Sequence, residues 1–139
     1  MAIDHKALEE GAELRLDWDK LARAAEIGGL LPCAVQNVET GEVILVAYVN
    51  AAALEKAVET GLAVFWSTSR NELWIKGQSS GETFALVEVL VNCEQNSLLY
   101  RVRPNKGGIC HTRNRAGAPR NCYYRRLDFA TGRLEHLDP

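Results

Sequence analysis

The sequence predicts one compact α+β domain that spans residues 1–139 and contains an antiparallel or mixed sheet. A length of 139 residues suits a single domain with its own hydrophobic core. Short apolar segments of strand length alternate with turn residues over most of the chain. The composition, 47% hydrophobic and 24% charged with a net charge of −2, is ordinary for a globular protein. It argues against disorder and against wholesale nucleic-acid binding.

Helices are predicted at two places. The first 30 residues are expected to be helical, and that segment ends at Gly28-Gly29. A second helix is predicted at 51–60, with Asn50 as its N-cap and Gly61 as its stop.

Strands are predicted at seven places, each bounded by turn residues: 31–38, 43–49, 63–66, 73–76, 84–91, 98–102 and 123–127. The second strand is apolar enough to be buried on both faces. A loop of about 18 residues, 104–121, precedes the last strand. A structureless loop of that length in a compact domain is usually functional, so we expect a functional role here.

No apolar run approaches the roughly 20 residues that a membrane helix needs. The first residues show no basic patch followed by an apolar stretch, so no secretory signal is expected. We therefore expect a cytoplasmic protein with no membrane partner. In such a protein four cysteines indicate metal binding or catalysis rather than disulfides. Cys33, which begins an apolar run, is expected to be a small buried hydrophobic residue.

Three cysteines, Cys93, Cys110 and Cys122, lie in the last third of the chain. Three thiolates with a fourth position left open describe a catalytic zinc site better than a structural one. Their separations, 17 and 12 residues, match no zinc finger or ribbon, so three unrelated buried cysteines are the alternative. Their positions beside polar residues at strand or loop ends favour metal ligands.

His111 directly follows one of these cysteines. Adjacent residues of an extended backbone point to opposite faces, so Cys110 and His111 do not easily share one metal. We predict that His111 carries protons beside the site, since imidazole titrates near neutral pH. A satisfied structural histidine is the alternative.

Residues 101–126 contain eight basic residues and no acidic one. A solvated basic face is the simple interpretation. The sharper one is an anion site, because guanidinium groups bind phosphate oxygens in bidentate geometry. RNA binding would need interleaved aromatic residues, and only Tyr123 and Tyr124 are present, so we expect a phosphorylated or anionic small molecule and no nucleic acid.

Four blocks of residues resemble the phosphoribosyl-AMP cyclohydrolase family and follow its order: 66–70 (Trp-Ser-Thr-Ser-Arg), 73–81 (Leu-Trp-Ile-Lys-Gly-Gln-Ser-Ser-Gly), 110–112 (Cys-His-Thr) and 121–125 (Asn-Cys-Tyr-Tyr-Arg). The likeness runs from about residue 16 to residue 126. It implies a small α+β fold that forms an intertwined homodimer. It also implies a zinc-dependent hydrolase whose three cysteine ligands come from both subunits, at the positions that match Cys93, Cys110 and Cys122 here.

The family's reaction adds water between N1 and C6 of the purine ring of phosphoribosyl-AMP, the third step of histidine biosynthesis. Zinc activates water near neutral pH, and His111 would help to remove or return a proton. The resemblance and the basic loop together predict the residues that bind the substrate: Trp66, Ser67, Ser69, Arg70, Lys76, Ser79, Arg113 and Arg115.

The chain departs from the family around its first cysteine. Typical members carry Asp-Cys-Asp-x-Asp, whose carboxylates bind magnesium, whereas this chain has Asn92, Glu94 and Asn96 at those places. These three residues are the candidates for a second metal site. Amide oxygens bring no charge, so we do not expect a magnesium site of normal strength.

The link between the second and third cysteines is also longer than in the family, by about five residues within 113–120. Three added arginines, Arg113, Arg115 and Arg120, would replace the charge of magnesium at a phosphate or serve another substrate. The remodelled loop favours a second hypothesis, a paralogous zinc hydrolase of another purine-like or amidine-containing heterocycle. A zinc-binding protein without catalysis is a third.

Overall fold

A computed structural model describes residues 4–14, 16, 18, 20–106 and 109–139, with the backbone alone at 20, 21 and 23. The described residues form three helices, α1 (His5–Glu10), α2 (Lys20–Ile27) and α3 (Ala51–Thr60). They also form eight strands: β1 (Leu31–Asn37), β2 (Val43–Val49), β3 (Val64–Ser67), β4 (Glu72–Ile75), β5 (Phe84–Val91), β6 (Leu98–Pro104), β7 (Arg125–Leu127) and β8 (Leu134–His136). None of the described helices is long and apolar enough to cross a membrane.

The main sheet has four strands in the order β2-β1-β6-β5. β1 runs antiparallel to β2 and parallel to β6, while β5 runs antiparallel to β6. The sheet is therefore mixed, because the chain between β1 and β6 returns β6 to the same direction as β1. β3 and β4 form a separate antiparallel hairpin, and so do β7 and β8.

Helix α3 has the ends that the sequence predicts. Asn50 accepts a hydrogen bond from the Ala53 backbone N–H at 2.9 Å. Gly61 adopts a left-handed conformation with φ of 70°, and its N–H donates to the Ala57 carbonyl at 2.8 Å. Ala53 and Ala57 lie four residues apart on one face and are fully buried, so the helix packs closely against β3.

The core lies between the main sheet, α3 and β3. Tyr100 of β6 is fully buried, and its hydroxyl donates to the Val64 carbonyl at 3.2 Å, which ties the sheet to β3. Phe65 packs between Tyr100 and Trp74, with ring centroids 5.5 and 5.3 Å away. Cys33 is fully buried and burial raises the pKa of its thiol to about 12, which confirms it as a small hydrophobic core residue.

Two predictions in the first half of the chain are wrong. The first 30 residues do not form one helix, because α1 ends at Glu10 and the described residues between it and α2 are not helical. β2 is not buried on both faces, since it is an edge strand on which Val43 and Val46 are about half exposed. A run of apolar residues therefore does not distinguish a central strand from an edge strand.

The C-terminal third is more ordered than the sequence predicts. The strand predicted at 123–127 begins only at Arg125, and it pairs with β8, which has no strand-like sequence signal. The predicted loop 104–121 contains a short hairpin closed by a bridge between Arg113 and Pro119. Two of its glycines, 107 and 108, lie outside the described residues.

Candidate active site and metal centre

Cys110 and Cys122 lie together at the base of the hairpin that joins them. The Cys110 N–H donates to the Arg120 carbonyl at 2.8 Å, and the Cys122 N–H donates to the Ile44 carbonyl of β2 at 3.0 Å. The two thiols are within hydrogen-bonding contact of each other. The hydroxyl of Thr112, itself buried, donates to the Cys110 sulfur at 3.3 Å. These backbone hydrogen bonds thus hold the Cys110 and Cys122 sulfur atoms next to each other.

The electrostatics of this thiol pair suit a cation. Burial, followed by the neighbouring Cys110, raises the pKa of Cys122 to about 12, because two adjacent thiolates repel each other. Lys76 lies close enough to interact with both sulfurs, and burial lowers the pKa of its ammonium group. A bound divalent metal would make the thiolate forms of Cys110 and Cys122 favourable, since a coordinating thiol is deprotonated outright. Zn²⁺ fits this donor set by its preference for sulfur.

Cys93 is exposed in the turn between β5 and β6 and does not join that pair. Among the residues that the structure describes, no group of three or more histidine, cysteine, aspartate or glutamate side chains lies close enough to hold a metal. One copy of the chain therefore brings two of the three predicted ligands together.

His111 differs from its neighbour Cys110 in exposure, since Cys110 is buried and His111 lies at the surface. Its side chain is 77% exposed, and its Nε2 lies 3.0 Å from a Glu9 carboxylate oxygen. It lines a cavity of about 430 Å³ with the β3–β4 turn and with Trp66 and Trp74. That cavity contains four predicted substrate-binding residues: Trp66, Ser67, Ser69 and Arg70.

The β3–β4 turn supplies the polar groups of this cavity. The Ser67 hydroxyl lies 3.3 Å from the Ser69 hydroxyl and accepts a hydrogen bond from the Arg70 N–H at 3.2 Å. Arg70 also faces Glu72 at 3.6 Å in a pair that is mostly exposed. The indole N–H of Trp66 is buried and has no acceptor among the described residues. An exposed guanidinium beside two hydroxyls can bind an anion.

Lys76 and Ser79 belong to the segment after β4. Ser79 lines a neighbouring cavity of about 280 Å³ that shares Arg70 and Trp74 with the first one, so the two cavities adjoin. The Lys76 ammonium donates to the Glu82 carbonyl at 3.2 Å and lies 4.8 Å from the centre of the Phe84 ring. Lys76 thus joins the thiol pair to the loop that carries Ser79.

Comparison with known proteins identifies the family. The sequence model of the family described as phosphoribosyl-AMP cyclohydrolase matches residues 45–124, more than half of the chain. This chain belongs to the phosphoribosyl-AMP cyclohydrolase family. A protein of Hyphomonas neptunium named phosphoribosyl-AMP cyclohydrolase is 41% identical over 126 residues, which cover 91% of this chain and 86% of that protein.

Two other relatives with the same name are similar over most of their length. The protein of Methanothrix thermoacetophila is 46% identical over 101 residues, which cover 73% of this chain and 78% of that protein. The protein of Erythrobacter litoralis is 45% identical over 120 residues, covering 86% of this chain and 91% of that protein. The range that the family model matches, 45–124, contains Cys93, Cys110 and Cys122.

The turn of the three candidate second-metal residues, Asn92, Glu94 and Asn96, is held by hydrogen bonds among its own residues. The Asn92 side-chain oxygen accepts hydrogen bonds from the backbone N–H groups of Asn96 and Ser97, both at 2.9 Å. The Asn92 amide donates to the Asn96 side-chain oxygen at 2.6 Å, and the Asn96 amide donates to Glu94 at 3.2 Å. Both side-chain amide oxygens of this turn and one of the two Glu94 carboxylate oxygens thus already accept hydrogen bonds.

The three added arginines lie apart from the serine cavity. Arg113 contacts Glu82 at 3.3 Å, and Arg115 lines, with Arg113, a separate cavity of about 640 Å³. Arg120 is 3% exposed, and its guanidinium donates to Glu10 at 2.6 Å and to the Asp138 carbonyl at 2.7 Å. These contacts give Arg120 a structural role at the wall of the same cavity, and its assignment to a phosphate stays a prediction. The assignment of Arg113 and Arg115 to substrate stays a prediction.

Two residues of the site escaped sequence reasoning, Glu9 and Glu10. Both lie in α1, outside the matched block 45–124, and they contact His111 and Arg120 respectively. Their only sequence signal is a pair of adjacent acids in a short helical segment, which by itself predicts nothing about a partner more than 100 residues away.

Proposed function

We propose that this protein is a phosphoribosyl-AMP cyclohydrolase, a hydrolase of histidine biosynthesis that opens the purine ring of phosphoribosyl-AMP. The observation that carries the proposal is the cavity in which His111 meets the Ser67–Arg70 turn, beside the thiol pair. One relative that carries this name aligns over 91% of the chain and another over 86%, which favours this activity over that of a paralogue with another substrate.

Zinc is the cofactor of this proposal. Cys110 and Cys122 would hold it from one subunit, and Cys93 from a second copy would complete the ligand set. Zinc supplies the Lewis acidity that makes an attacking water reactive near neutral pH. The three ligand cysteines must stay reduced to hold zinc, so we propose that the protein acts in the cytoplasm.

The apolar surface near Cys93 supports a homodimer. Val87, Leu90 and Val91 of the edge strand β5 are about half exposed, directly before the turn that carries Cys93. Val46 on the opposite edge strand is also half exposed, and it lines the His111 cavity. Edge strands with exposed apolar side chains are normally covered by another chain. A second copy would cover these residues and bring its Cys93 to the thiol pair.

The chain's own residues divide the remaining work of the reaction. Arg70, Ser67 and Ser69 bind phosphate or ribose oxygens and hold the nucleotide over His111. His111 accepts a proton from the water that attacks C6 and returns it to N1 as the N1–C6 bond breaks, so that atoms and charge balance. Lys76 holds positive charge beside Cys110 and Cys122, which stabilises their thiolate forms.

Turnover of phosphoribosyl-AMP by zinc-loaded protein, followed by ultraviolet absorbance, tests the activity. Cys110→Ser is the blank, and His111→Ala is expected to keep its zinc but lose at least about 100-fold in kcat. Robust turnover that depends on both residues is the expected result. A fully metallated protein that leaves phosphoribosyl-AMP unchanged would refute the proposal and favour another heterocycle as the substrate.

Mixing of variants tests the shared metal site independently. Cys93→Ser and Cys110→Ser proteins should each lose zinc and activity. When the two are unfolded and refolded together, mixed dimers contain one complete site, so about a quarter of the wild-type activity returns if the subunits pair at random. Cys110→Ser mixed with Cys122→Ser is the matched control, and it should restore nothing because both ligands come from the same subunit. Recovery in the control, or none in the first mixture, would refute the shared site.

A further inference from the structure

A second cavity, the basic cavity, is lined by residues of α1, of the 110–122 hairpin and of the C-terminal end of the chain, and has a volume of about 640 Å³. This volume is in the range of sites that bind small molecules. Four basic side chains line it: Lys6, Arg113, Arg115 and Arg120. Among the described residues of its lining, Glu10 is the only acidic side chain, so positive charge remains even when a main-chain carboxylate at Pro139 is counted. A cavity of this kind attracts anions.

The four cations differ in whether they already have a partner. Arg120 and Arg113 each face a carboxylate, at 2.6 and 3.3 Å. Lys6 and Arg115 are exposed, and their side chains make no hydrogen bond or ion pair with another residue that the structure describes. These two side chains belong to different elements, α1 and the tip of the hairpin. A phosphate can therefore be held from two sides, and Arg115 suits it because a guanidinium matches two phosphate oxygens at once.

The basic cavity lies next to the cavity that contains His111. On the first arm of the hairpin, His111 and Arg113 are exposed and Thr112 between them is buried, which is the alternation of an extended chain. Side chains two positions apart in such a chain lie on one face, roughly 7 Å from each other. On α1, Glu10 lines the basic cavity, whereas the carboxylate of its neighbour Glu9 lies 3.0 Å from His111. One extended ligand can therefore occupy both cavities.

Phosphoribosyl-AMP carries two phosphates, because one phosphorylated ribose is attached to N9 of its purine ring and another to N1. The Ser67–Arg70 turn supplies a guanidinium and two hydroxyls, which suit one of these phosphates. The other phosphate lies at the far end of the same molecule and needs cations of its own. We propose that the basic cavity binds this second phosphate, with Arg115 and Lys6 as the side chains that contact it. The identity of the ligand rests on the proposed function, whereas the anion site itself does not.

Kinetics of the zinc-loaded full chain test the substrate phosphate site. Arg115→Ala should raise KM about 10- to 100-fold and leave kcat within about twofold, because the ground state and the transition state use this contact equally. Arg115→Lys keeps the charge without the paired N–H groups and should recover part of the loss. Arg133→Ala, which removes an exposed arginine from the β7–β8 turn, is the matched control and should leave both constants unchanged. An unchanged KM in Arg115→Ala would overturn the proposal.

Modification of arginine by phenylglyoxal, located in peptides by mass spectrometry, measures occupancy of the basic cavity without turnover. Arg115 and Arg133 are both exposed, so both should react in the wild-type protein. Inorganic phosphate at ten times its dissociation constant should slow the modification of Arg115 about tenfold and leave that of Arg133 unchanged. The same rate for Arg115 with and without phosphate would show that the cavity does not bind the anion.

The two experiments separate a failure of this inference from a failure of the proposed function. Protection of Arg115 by phosphate in a protein that leaves phosphoribosyl-AMP unchanged would refute the activity and keep the anion site. Turnover with an unchanged KM in Arg115→Ala would refute the substrate phosphate site and keep the activity. If phosphate still protects Arg115 in that second case, and changes the rate of the wild type but not of Arg115→Ala, the ligand of the cavity is a separate phosphorylated effector.

Discussion

Gly77 holds the loop after β4, which carries Ser79, in a conformation that no other residue can adopt without cost. Its φ is +77°, and a Cβ built there would lie 2.1 Å from the backbone carbon and oxygen of Glu82. Gly41 has the same φ of +77° but nothing within 4 Å of its Cβ position. The two alanine variants separate two effects: Gly41→Ala introduces backbone strain alone, whereas Gly77→Ala introduces backbone strain and a clash with the main chain of Glu82.

The sizes of the two effects can be estimated separately. A left-handed conformation costs about 1–2 kcal/mol for a residue with a Cβ, and this applies to both positions. Overpacking against backbone that must shift costs about 1–3 kcal/mol more. We expect Gly41→Ala to lose about 1–2 kcal/mol of unfolding free energy, and Gly77→Ala about 2–5 kcal/mol. Gly81→Ala, with φ of +78° and only the flexible end of Lys106 at 3.0 Å, should resemble Gly41→Ala.

Urea unfolding of the three alanine variants measures these differences, and zinc content and turnover report the consequence for the site. The Glu82 carbonyl that must move in Gly77→Ala accepts a hydrogen bond from Lys76 at 3.2 Å, so the charge beside the thiol pair moves with it. Only Gly77→Ala should therefore lose zinc affinity and activity. Equal losses of stability in all three variants would show that backbone strain alone matters and would refute the clash.

Three smaller predictions concern other groups. The hydrogen bond from Arg120, followed by that from His136, lowers the pKa of Glu10 from its usual 4.5. The stability that this carboxylate contributes is therefore present above pH 4.5 and is lost as the pH falls through the lower pKa of the folded state. Glu10→Gln should be less stable than the wild type at neutral pH and should lose less stability on acidification, which melting temperatures measured from about pH 7 to about pH 3 check. Magnesium should change the turnover of the wild type little. The double variant Asn92→Asp, Asn96→Asp should bind magnesium with a heat that calorimetry detects. If the double variant shows no heat of binding, the conformation of the turn, and not the missing charge, prevents magnesium binding. Tyr100→Phe should cost about 1 kcal/mol by urea unfolding, because it leaves the Val64 carbonyl without its buried donor; an unchanged unfolding free energy would contradict this.

Local signals in the sequence predict the middle of the fold well. Asn50 and Gly61 bracket α3 within one residue because capping chemistry is local: a side-chain oxygen meets an N–H three residues on, and a glycine adopts positive φ. The thiol pair and the serine cavity were also predictable, since the residues that form them stand in ordered blocks.

Long-range pairing explains what the sequence does not predict. β8 has three residues, and it forms because Arg125–Leu127 lies beside it and the Leu134 N–H donates to Ala12 at 2.6 Å. The parallel pairing of β1 with β6 likewise depends on residues more than 60 positions apart. The contact between Glu9 and His111 belongs to the same class, because it follows from where Tyr124 holds α1. None of these contacts is marked by a periodic or local pattern in the sequence.

The hairpin between Cys110 and Cys122 explains why an unusual ligand spacing does not exclude a metal site. Backbone hydrogen bonds from Cys110 to Arg120, from Arg120 to Thr112 and from Asn114 to Ala118 pair the two arms, so added residues extend the hairpin and leave its base in place. The distance between the two sulfurs is then set by the paired base and not by the number of residues in the loop. Spacing is informative for ligands on a tight turn, whose length fixes their separation. For ligands on the two arms of a hairpin, the residues at its base carry the information: here the buried Thr112, which donates to one sulfur, and the buried Arg120, which anchors the second arm to α1.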